Sequence, residues 1–115
     1  MNGDVEWWAY QRRLVEKALN DFDRGEIQLQ TLAADLMSIS DAMDERGSEA
    51  MSPIAAGLSD APEEWLENFR SAAFGIEVIF AVAADKGVDV LPPDEVDAVD
   101  REIDQVEFLV GQLPV

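Results

Sequence analysis

The chain has 115 residues, the size of one ordinary domain, and its 25 acidic side chains against 8 basic ones give a net charge of −17. It contains no cysteine and no histidine, which excludes disulfides and thiol nucleophiles and removes the commonest general base and metal ligand. Hydrophobic residues make up 48% of the chain, as in globular proteins. A field this negative repels nucleic acid and anionic membranes and attracts basic partners.

The start of the chain, "MNGDVEWWAY", is acidic and lacks the basic segment and apolar run of a signal peptide. The longest nearly apolar stretch, residues 71–85, is too short for a membrane span and carries Glu77 in its middle. We therefore expect a cytoplasmic protein that does not bind a membrane.

Four segments in chain order show helical periodicity, and no segment alternates as a strand does. They cover about 4–22, 28–45, 60–86 and 92–113. Their predicted core stripes are Trp8, Val15, Leu19 and Phe22; Leu29, Leu32, Leu36, Ile39 and Met43; Trp65, Phe69, Ala72, Ala73, Ile76, Phe80 and Ala83; and Val96, Val99, Ile103, Val106, Val110 and Leu113. The sequence predicts an all-α fold, a single-domain antiparallel helical bundle of about four helices over residues 1–115.

Three local features refine this prediction. Residues 48–59 contain Pro53 and are expected to be irregular and to fold back onto the core. Asp60 and Glu63 have the spacing of a capping box at the start of the third helix. From Ala72 to Ala84 this helix is apolar nearly all round, which predicts the most buried helix of the bundle.

Glu77 is the one charge in that apolar run. A buried glutamate costs several kcal/mol unless it is paired or protonated, so it lies at an edge or has a partner. Arg70 on the same helix, or Arg12 or Arg13 on the first helix, is the expected partner. An ion pair is the favoured interpretation, and a catalytic acid is the alternative.

The fourth segment contains "DEVDAVDREIDQVE", residues 94–107, with seven carboxylates in fourteen positions. When the apolar stripe faces inward, the acids form a neighbouring stripe of Asp94, Asp97, Asp100, Asp104 and Glu107. Such a stripe places a charge about every 5 Å along the helix axis, on the scale of nucleic-acid phosphates. One interpretation is a solvated face, within an acidity shared by the whole proteome. The other is a docking surface for a basic protein partner.

Aromatic residues near the N-terminus form a second candidate contact. Trp7 and Trp8 lie about 100° apart on a helix, so only one of them can point to the centre of the core. The other, with Tyr10, forms an exposed aromatic patch of the kind favoured at interfaces, unless the end of the bundle covers it. Trp7 and Tyr10 are therefore the second set of predicted partner-binding residues.

Carboxylates can also bind divalent metal ions. Glu63, Glu64 and Glu67 in "EEWLE" are similar to the acidic motif of small all-helical, metal-dependent nucleotide pyrophosphohydrolases. Helix capping and the helix dipole explain Glu63 and Glu64 more simply. The chain has no basic cluster to hold a triphosphate, no glycine-rich phosphate loop and no nucleophile elbow. We expect no catalytic residue, no metal and no cofactor.

Two blocks, 22–43 ("FDRGEIQLQTLAADLMSISDAM") and 63–87 ("EEWLENFRSAAFGIEVIFAVAADKG"), carry a resemblance. They resemble small acidic helical bacterial immunity proteins of polymorphic and contact-dependent growth inhibition toxin systems. The matching residues are Phe22, Gly25, Ile27, Leu29, Leu32, Asp35, Leu36, Trp65, Phe69, Arg70, Glu77, Ala81 and Gly87. The resemblance implies an antitoxin that binds its cognate toxin, often a nuclease, and blocks the active site.

Charge and resemblance together predict a non-enzymatic, acidic protein-binding module. We expect an immunity protein whose acidic face covers the basic cleft of a toxin and which binds no nucleic acid itself. The alternatives are a nucleic-acid mimic that inhibits a DNA-binding defence enzyme and, behind it, the nucleotide pyrophosphohydrolase.

Overall fold

The computed structural model describes residues 3–87 and 91–115. These residues form four α-helices and one 3₁₀ helix, without a strand. In chain order they are α1 (Gly3–Asp23), α2 (Leu29–Arg46), the 3₁₀ helix (Ser48–Gly57), α3 (Pro62–Asp85) and α4 (Pro93–Val110). The all-α prediction is confirmed, and the predicted helix positions agree with the structure to within two residues at most ends.

The helices pack as neighbours in chain order, and α4 returns to contact α1. The Asp4 carboxylate of α1 accepts a 2.8 Å hydrogen bond from Arg46, at the far end of α2. At the other end of α1, Asp21 shares a surface depression with Asp35, near the start of α2. These pairs make α1 and α2 antiparallel, as the predicted up-down order requires.

A single hydrophobic cluster contains side chains from every helix. Its largest fully buried members are Trp8, Trp65, Phe69, Leu32, Leu36, Met43, Met51, Ile76, Leu109, Leu113, Val15 and Val106. Burial of each such side chain contributes about 1.5–3 kcal/mol before the entropy of ordering is subtracted. The predicted stripes of α1 and α2 supply most of one side of this core, because a 3-4 spacing places those residues on one helix face.

Gly25 ends α1. Its φ of +75° is left-handed, a conformation that costs glycine little because it has no Cβ. The Gly25 N–H donates to Phe22 O at 3.0 Å and the Glu26 N–H donates to Asp21 O at 2.8 Å. This pair of bonds is a Schellman motif, which satisfies carbonyls at the helix end.

Residues 48–57 are more regular than the sequence analysis expected, because they form a 3₁₀ helix. As predicted, Met51 and Ile54 are buried in the core. Pro53 lies inside this helix and has no N–H, so the carbonyl of Ala50 lacks its usual donor three residues later. The indole Nε1 of Trp8 donates to that carbonyl instead, at 2.9 Å, and so joins α1 to the 3₁₀ helix.

The capping box predicted at the start of α3 is wrong. The N-cap residue is Ala61, without a side-chain hydrogen bond. The Asp60 carboxylate instead accepts hydrogen bonds from Ser59 Oγ and Asn68 Nδ2, both at 3.3 Å. The contact with Asn68, two turns into α3, draws the carboxylate away from the N–H groups of the first turn.

The prediction that residues 72–84 are the most buried part of the bundle is also wrong. Phe74, Val78 and Val82 are exposed. Ile76 and Ala83, at similar heights on α3, are buried. One side of this helix therefore packs on the core, and the opposite side, although apolar, is exposed.

Glu77 and Val96 also depart from the predictions. Glu77 is exposed and makes no ion pair among the described residues, because Arg70 instead binds Asp41 and Asp44 of α2. The edge position that the sequence allowed for Glu77 is the one observed. Val96 is 41% exposed rather than inward-facing, because it lies in the first turn of α4, ahead of the residues that reach the core.

Candidate protein-binding site

The position of α4 follows from the buried side of its own sequence. Val99, Val106, Leu109 and Val110 are buried against the core. Pro93 stands at its first turn with Asp94 and Glu95, where a fixed φ and negative charge both suit the positive end of the helix dipole. Because the apolar stripe takes one side, the remaining acids of α4 have to face outward.

The structure exposes all five predicted acidic residues. We call Asp94, Asp97, Asp100, Asp104 and Glu107 the acidic face. None of the five forms an ion pair with another described residue. Arg101 is exposed on the same helix, but it forms no ion pair with any of the five. The outer side of α4 therefore carries a clear excess of negative charge, while partner binding by these residues stays a prediction.

The acidic face continues into a groove between α4 and α1. One part of the groove, about 440 Å³, is lined on the α4 side by Asp100, Ile103, Asp104 and Glu107. The facing wall is supplied by the C-terminal end of α1, including Asp23. A second part of about 260 Å³ shares Glu107 and extends toward Arg12. The groove is acidic along most of its length, so it favours a cationic occupant.

Arg12 lies at one end of this groove, where its guanidinium already makes hydrogen bonds. Its Nη1 donates to the carbonyls of Leu113 at 2.7 Å and Gly111 at 3.3 Å. Its Nε lies 3.4 Å from Glu16 Oε1, an ion pair without hydrogen-bond geometry. Arg12 therefore ties the end of the chain to α1 and does little to neutralise the carboxylates of α4.

Three of the other seven basic side chains pair with acids far from α4. Arg46 binds Asp4, Arg70 binds two acids of α2, and Lys17 binds Asp21 at 2.7 Å. The hydrogen bond from Lys17, aided by its charge, lowers the pKa of Asp21. The same hydrogen bond, together with the negative charge of Asp21, raises the pKa of Lys17. Among the described residues, no basic side chain lies within ion-pair distance of the acidic face.

The predicted aromatic residues, Trp7 and Tyr10, do not adjoin the acidic face. Trp7 is half-buried, with its ring edge-on to Trp8 at 4.7 Å and the Arg46 guanidinium 5.0 Å above it. It lies on the α2 side of α1, in a depression shared with Ala42 and Arg46, whereas the acidic face borders the C-terminal end of α1. Tyr10 is 50% exposed. The structure does not join Trp7 and Tyr10 to the acidic face in one surface.

Two exposed apolar features are absent from the sequence prediction. Phe108 is 59% exposed and follows Asp104 by four residues, so it lies on the same side of α4 as the carboxylates. Phe74, Val78 and Val82 form an exposed row on α3. Nothing in the sequence indicates which side of α3 is exposed, because residues 72–84 are apolar nearly all round.

The residues of the pyrophosphohydrolase alternative are exposed at the start of α3. Glu63 and Glu64 lie in its first turn, and Glu67 is exposed one turn later. Within residues 3–87 and 91–115, no group of three or more acids is arranged to hold a metal ion. No helix in the same ranges is long and apolar enough to cross a membrane.

Comparisons with protein-family models, with curated proteins and with solved structures found no match to this chain. The resemblance to bacterial immunity proteins stays a prediction.

Proposed function

We propose that this protein is a binding module whose acidic face docks onto a basic protein, and that it acts as an immunity protein for a bacterial toxin. The observation that carries the proposal is the exposed, unpaired row of carboxylates on α4. Acids that the core does not need, and whose mutual repulsion opposes the helix, are accounted for by a partner that they attract.

The chemistry of the row favours a particular kind of basic surface. The residues step by three or four, so the charges recur about every 5 Å along the axis. A cleft that binds a nucleic-acid backbone is lined with lysine and arginine for regularly spaced phosphates. The acidic face would occupy such a cleft in the place of the nucleic acid, which is why a nuclease toxin is the proposed partner.

A DNA-binding defence enzyme has the same kind of cleft, so the mimic alternative shares this surface. The two functions differ in the activity of the partner. Purified partner captured by the wild-type protein from the native organism should be a toxin whose nuclease activity this protein inhibits. An inhibited restriction or defence enzyme would assign the mimic function, and a partner without a basic cleft would contradict both.

The acidic face is tested by the triple variant Asp97→Asn, Asp100→Asn, Asp104→Asn. Charge complementarity acts mainly on the rate of encounter. We expect association with the captured partner to slow by about tenfold or more at low ionic strength. The difference should shrink at high ionic strength, because salt screens exposed charges. Stopped-flow or surface-based kinetics at two salt concentrations measures both effects.

A charge-matched control separates this face from the overall field. Asp35, Glu45 and Glu49 are exposed and have no ion-pair partner among the described residues. Replacing them with Asn, Gln and Gln removes the same charge from the α2 side and should slow association by less than about twofold. Equal slowing in both variants would make the acidity a general field, and no slowing in either would leave α4 a solvated face.

A further inference from the structure

Three large apolar side chains of α3 are exposed in one row, which we call the α3 stripe. Phe74 is 54% exposed, Val78 39% and Val82 41%. They are spaced by four residues and so lie one above another on the helix. The other large exposed apolar residues in the described ranges, Tyr10, Val96, Phe108 and Val115, are scattered singly. A continuous exposed apolar row marks an interaction surface more often than scattered residues do.

Two exposed acids border the α3 stripe. Glu77 follows Phe74 by three residues and Asp85 follows Val82 by three. A basic residue lies at each end of the stripe: Arg70 is occupied by Asp41 and Asp44, and Lys86, four residues after Val82, is exposed. An occupant of this surface therefore meets apolar contacts with two acids beside them and one exposed base at the C-terminal end.

A second copy of the chain fits this surface poorly. Three partly exposed side chains supply far less than the roughly 800 Å² per partner that a stable interface buries. Each copy would also bring a net charge of −17, so two copies repel each other. A partner with basic residues beside its apolar ones gains attraction where a second copy meets repulsion.

The spacing of the stripe indicates the shape of its occupant. Residues four apart form the ridge that packs into the groove of another helix. Recognition by an amphipathic helix uses apolar anchors at the same spacing. The geometry points to an amphipathic, basic helix of a partner protein, with its apolar side on Phe74, Val78 and Val82 and its lysines or arginines toward Glu77 and Asp85.

The stripe and the acidic face lie on adjacent helices. Glu102 of α4 packs onto Gly75, so closely that a Cβ at Gly75 would lie 2.9 Å from Glu102 Cδ. Gly75 is next to Phe74 in the chain, and packed helix axes are about 8–10 Å apart. A partner that spans both helices would contact both surfaces, and in that respect this inference rests on the proposed function. The carboxylates would raise the association rate of the partner, and the stripe would lower its dissociation rate.

Two synthetic peptides of identical lysine–leucine composition test the stripe. One places leucine every three or four residues to form an amphipathic helix, and the other has the same residues scrambled so that no apolar face forms. The full chain should bind the amphipathic peptide at least tenfold more tightly than the scrambled one, by fluorescence anisotropy. Equal affinities would overturn the inference, because charge alone would then explain binding.

The variant Phe74→Gln, Val78→Gln, Val82→Gln keeps the charge and a good helix former at each position. The preference for the amphipathic peptide should vanish in this variant. A control, Val96→Gln, Val115→Gln, removes exposed apolar residues elsewhere and should keep the preference. Loss in the control but not in the stripe variant would overturn the inference. Circular dichroism verifies that each variant is folded.

The triple variant of the acidic face separates the two proposals. It should weaken both peptides by the same factor and leave their ratio unchanged. If it weakens neither peptide, the acidic face fails while the ratio still reports on the stripe. Sedimentation velocity at 0.5 M NaCl tests whether a second copy of the chain occupies the stripe. A dimer that forms in the wild type and is lost in the stripe variant would show that it does, and would overturn the inference.

Discussion

Trp8 and Trp65 are both fully buried, but their indole N–H groups differ. Trp8 Nε1 donates to the Ala50 carbonyl, which receives no hydrogen bond from Pro53 because proline has no N–H. Trp65 Nε1 has no hydrogen-bond partner. A buried donor without a partner costs free energy, and so does a buried carbonyl that loses its donor. The two tryptophans therefore form a matched pair in which the same substitution has different consequences.

Trp8→Phe should destabilise the protein by about 1–3 kcal/mol more than Trp65→Phe, because only the first leaves a carbonyl unsatisfied. Both substitutions remove the same ring volume, so the cavity contributions largely cancel. Urea denaturation of the two variants beside the wild-type chain measures the difference. Equal losses of stability would mean that the Ala50 carbonyl finds another donor when Trp8 is truncated.

The Lys17–Asp21 pair gives a prediction in pH. The pKa of Asp21 is lowered in the folded chain, so its contribution is present above the unfolded value of about 4 and is lost as pH falls through the folded value. The pKa of Lys17 is raised, so the contribution is present below about 10.4 and is lost as pH rises through the folded value. Asp21→Asn should therefore lower stability by a constant amount between about pH 5 and 9.

Paired urea melts of wild type and Asp21→Asn at pH 7, 3.5 and 2.5 examine this prediction. The difference between the two proteins should shrink as Asp21 is protonated, because the neutral acid then resembles the amide. Both proteins share the titration of every other carboxylate, so the comparison isolates this one. A difference that persists unchanged at pH 2.5 would contradict an ion-pair origin.

Among the elements, α4 buries its apolar side in the core, and the carboxylates on its outer side repel one another. Asp97 and Asp100, Asp100 and Asp104, and Asp104 and Glu107 are each three or four residues apart, where like charges destabilise a helix by a few tenths of a kcal/mol per pair. Asp97→Asn, Asp100→Asn, Asp104→Asn should therefore keep the helix content and slightly stabilise the fold at low salt. Thermal melts by circular dichroism measure this, and a clear loss of stability would show that these carboxylates have a structural role.

Helix periodicity carried most of the fold prediction because burial of one side is what a 3-4 spacing encodes. The stripes of α1 and α2 are buried as predicted except for Phe22 and Leu29, which are partly buried, and much of the α4 stripe is buried too. The α3 stripe could not be predicted from the pattern alone, since Phe74 and Ile76 are equally apolar, lie on opposite sides of the helix, and differ only in which side the neighbouring helices cover. The 3₁₀ helix was missed because Trp8, more than forty residues away, supplies the donor that Pro53 lacks.

The candidate site was likewise predictable from the sequence only in part. Exposure of the acidic face followed from the sequence, because burial of a valine stripe leaves one side of α4 for the acids. The groove beside it did not, because it depends on how closely α1 approaches α4. Trp7 lies on the α2 side because Arg46, from the end of α2, stacks on its ring, a contact between distant parts of the chain that local spacing does not specify.

At the scale of the whole molecule, the excess of acids should make stability depend on salt. The Debye length is about 30 Å at 0.01 M and about 3 Å at 1 M ionic strength, whereas the molecule measures 49 × 25 × 21 Å. At low salt the carboxylates therefore repel one another across the full width of the fold. The ion pairs that salt also weakens are mostly exposed and worth little.

We expect the melting temperature to rise by several degrees between 0.01 and 0.5 M NaCl, since a gain of 1 kcal/mol is worth roughly 4 °C or more in a domain of this size. Sucrose at matched osmolality is the non-ionic control. The triple variant of the acidic face carries three fewer negative charges and should show a smaller rise. A melting temperature that falls with NaCl would mean that attractive ion pairs outweigh the repulsion. In that case the charge of −17 would not strain the free protein, and a basic partner would have no repulsion to relieve.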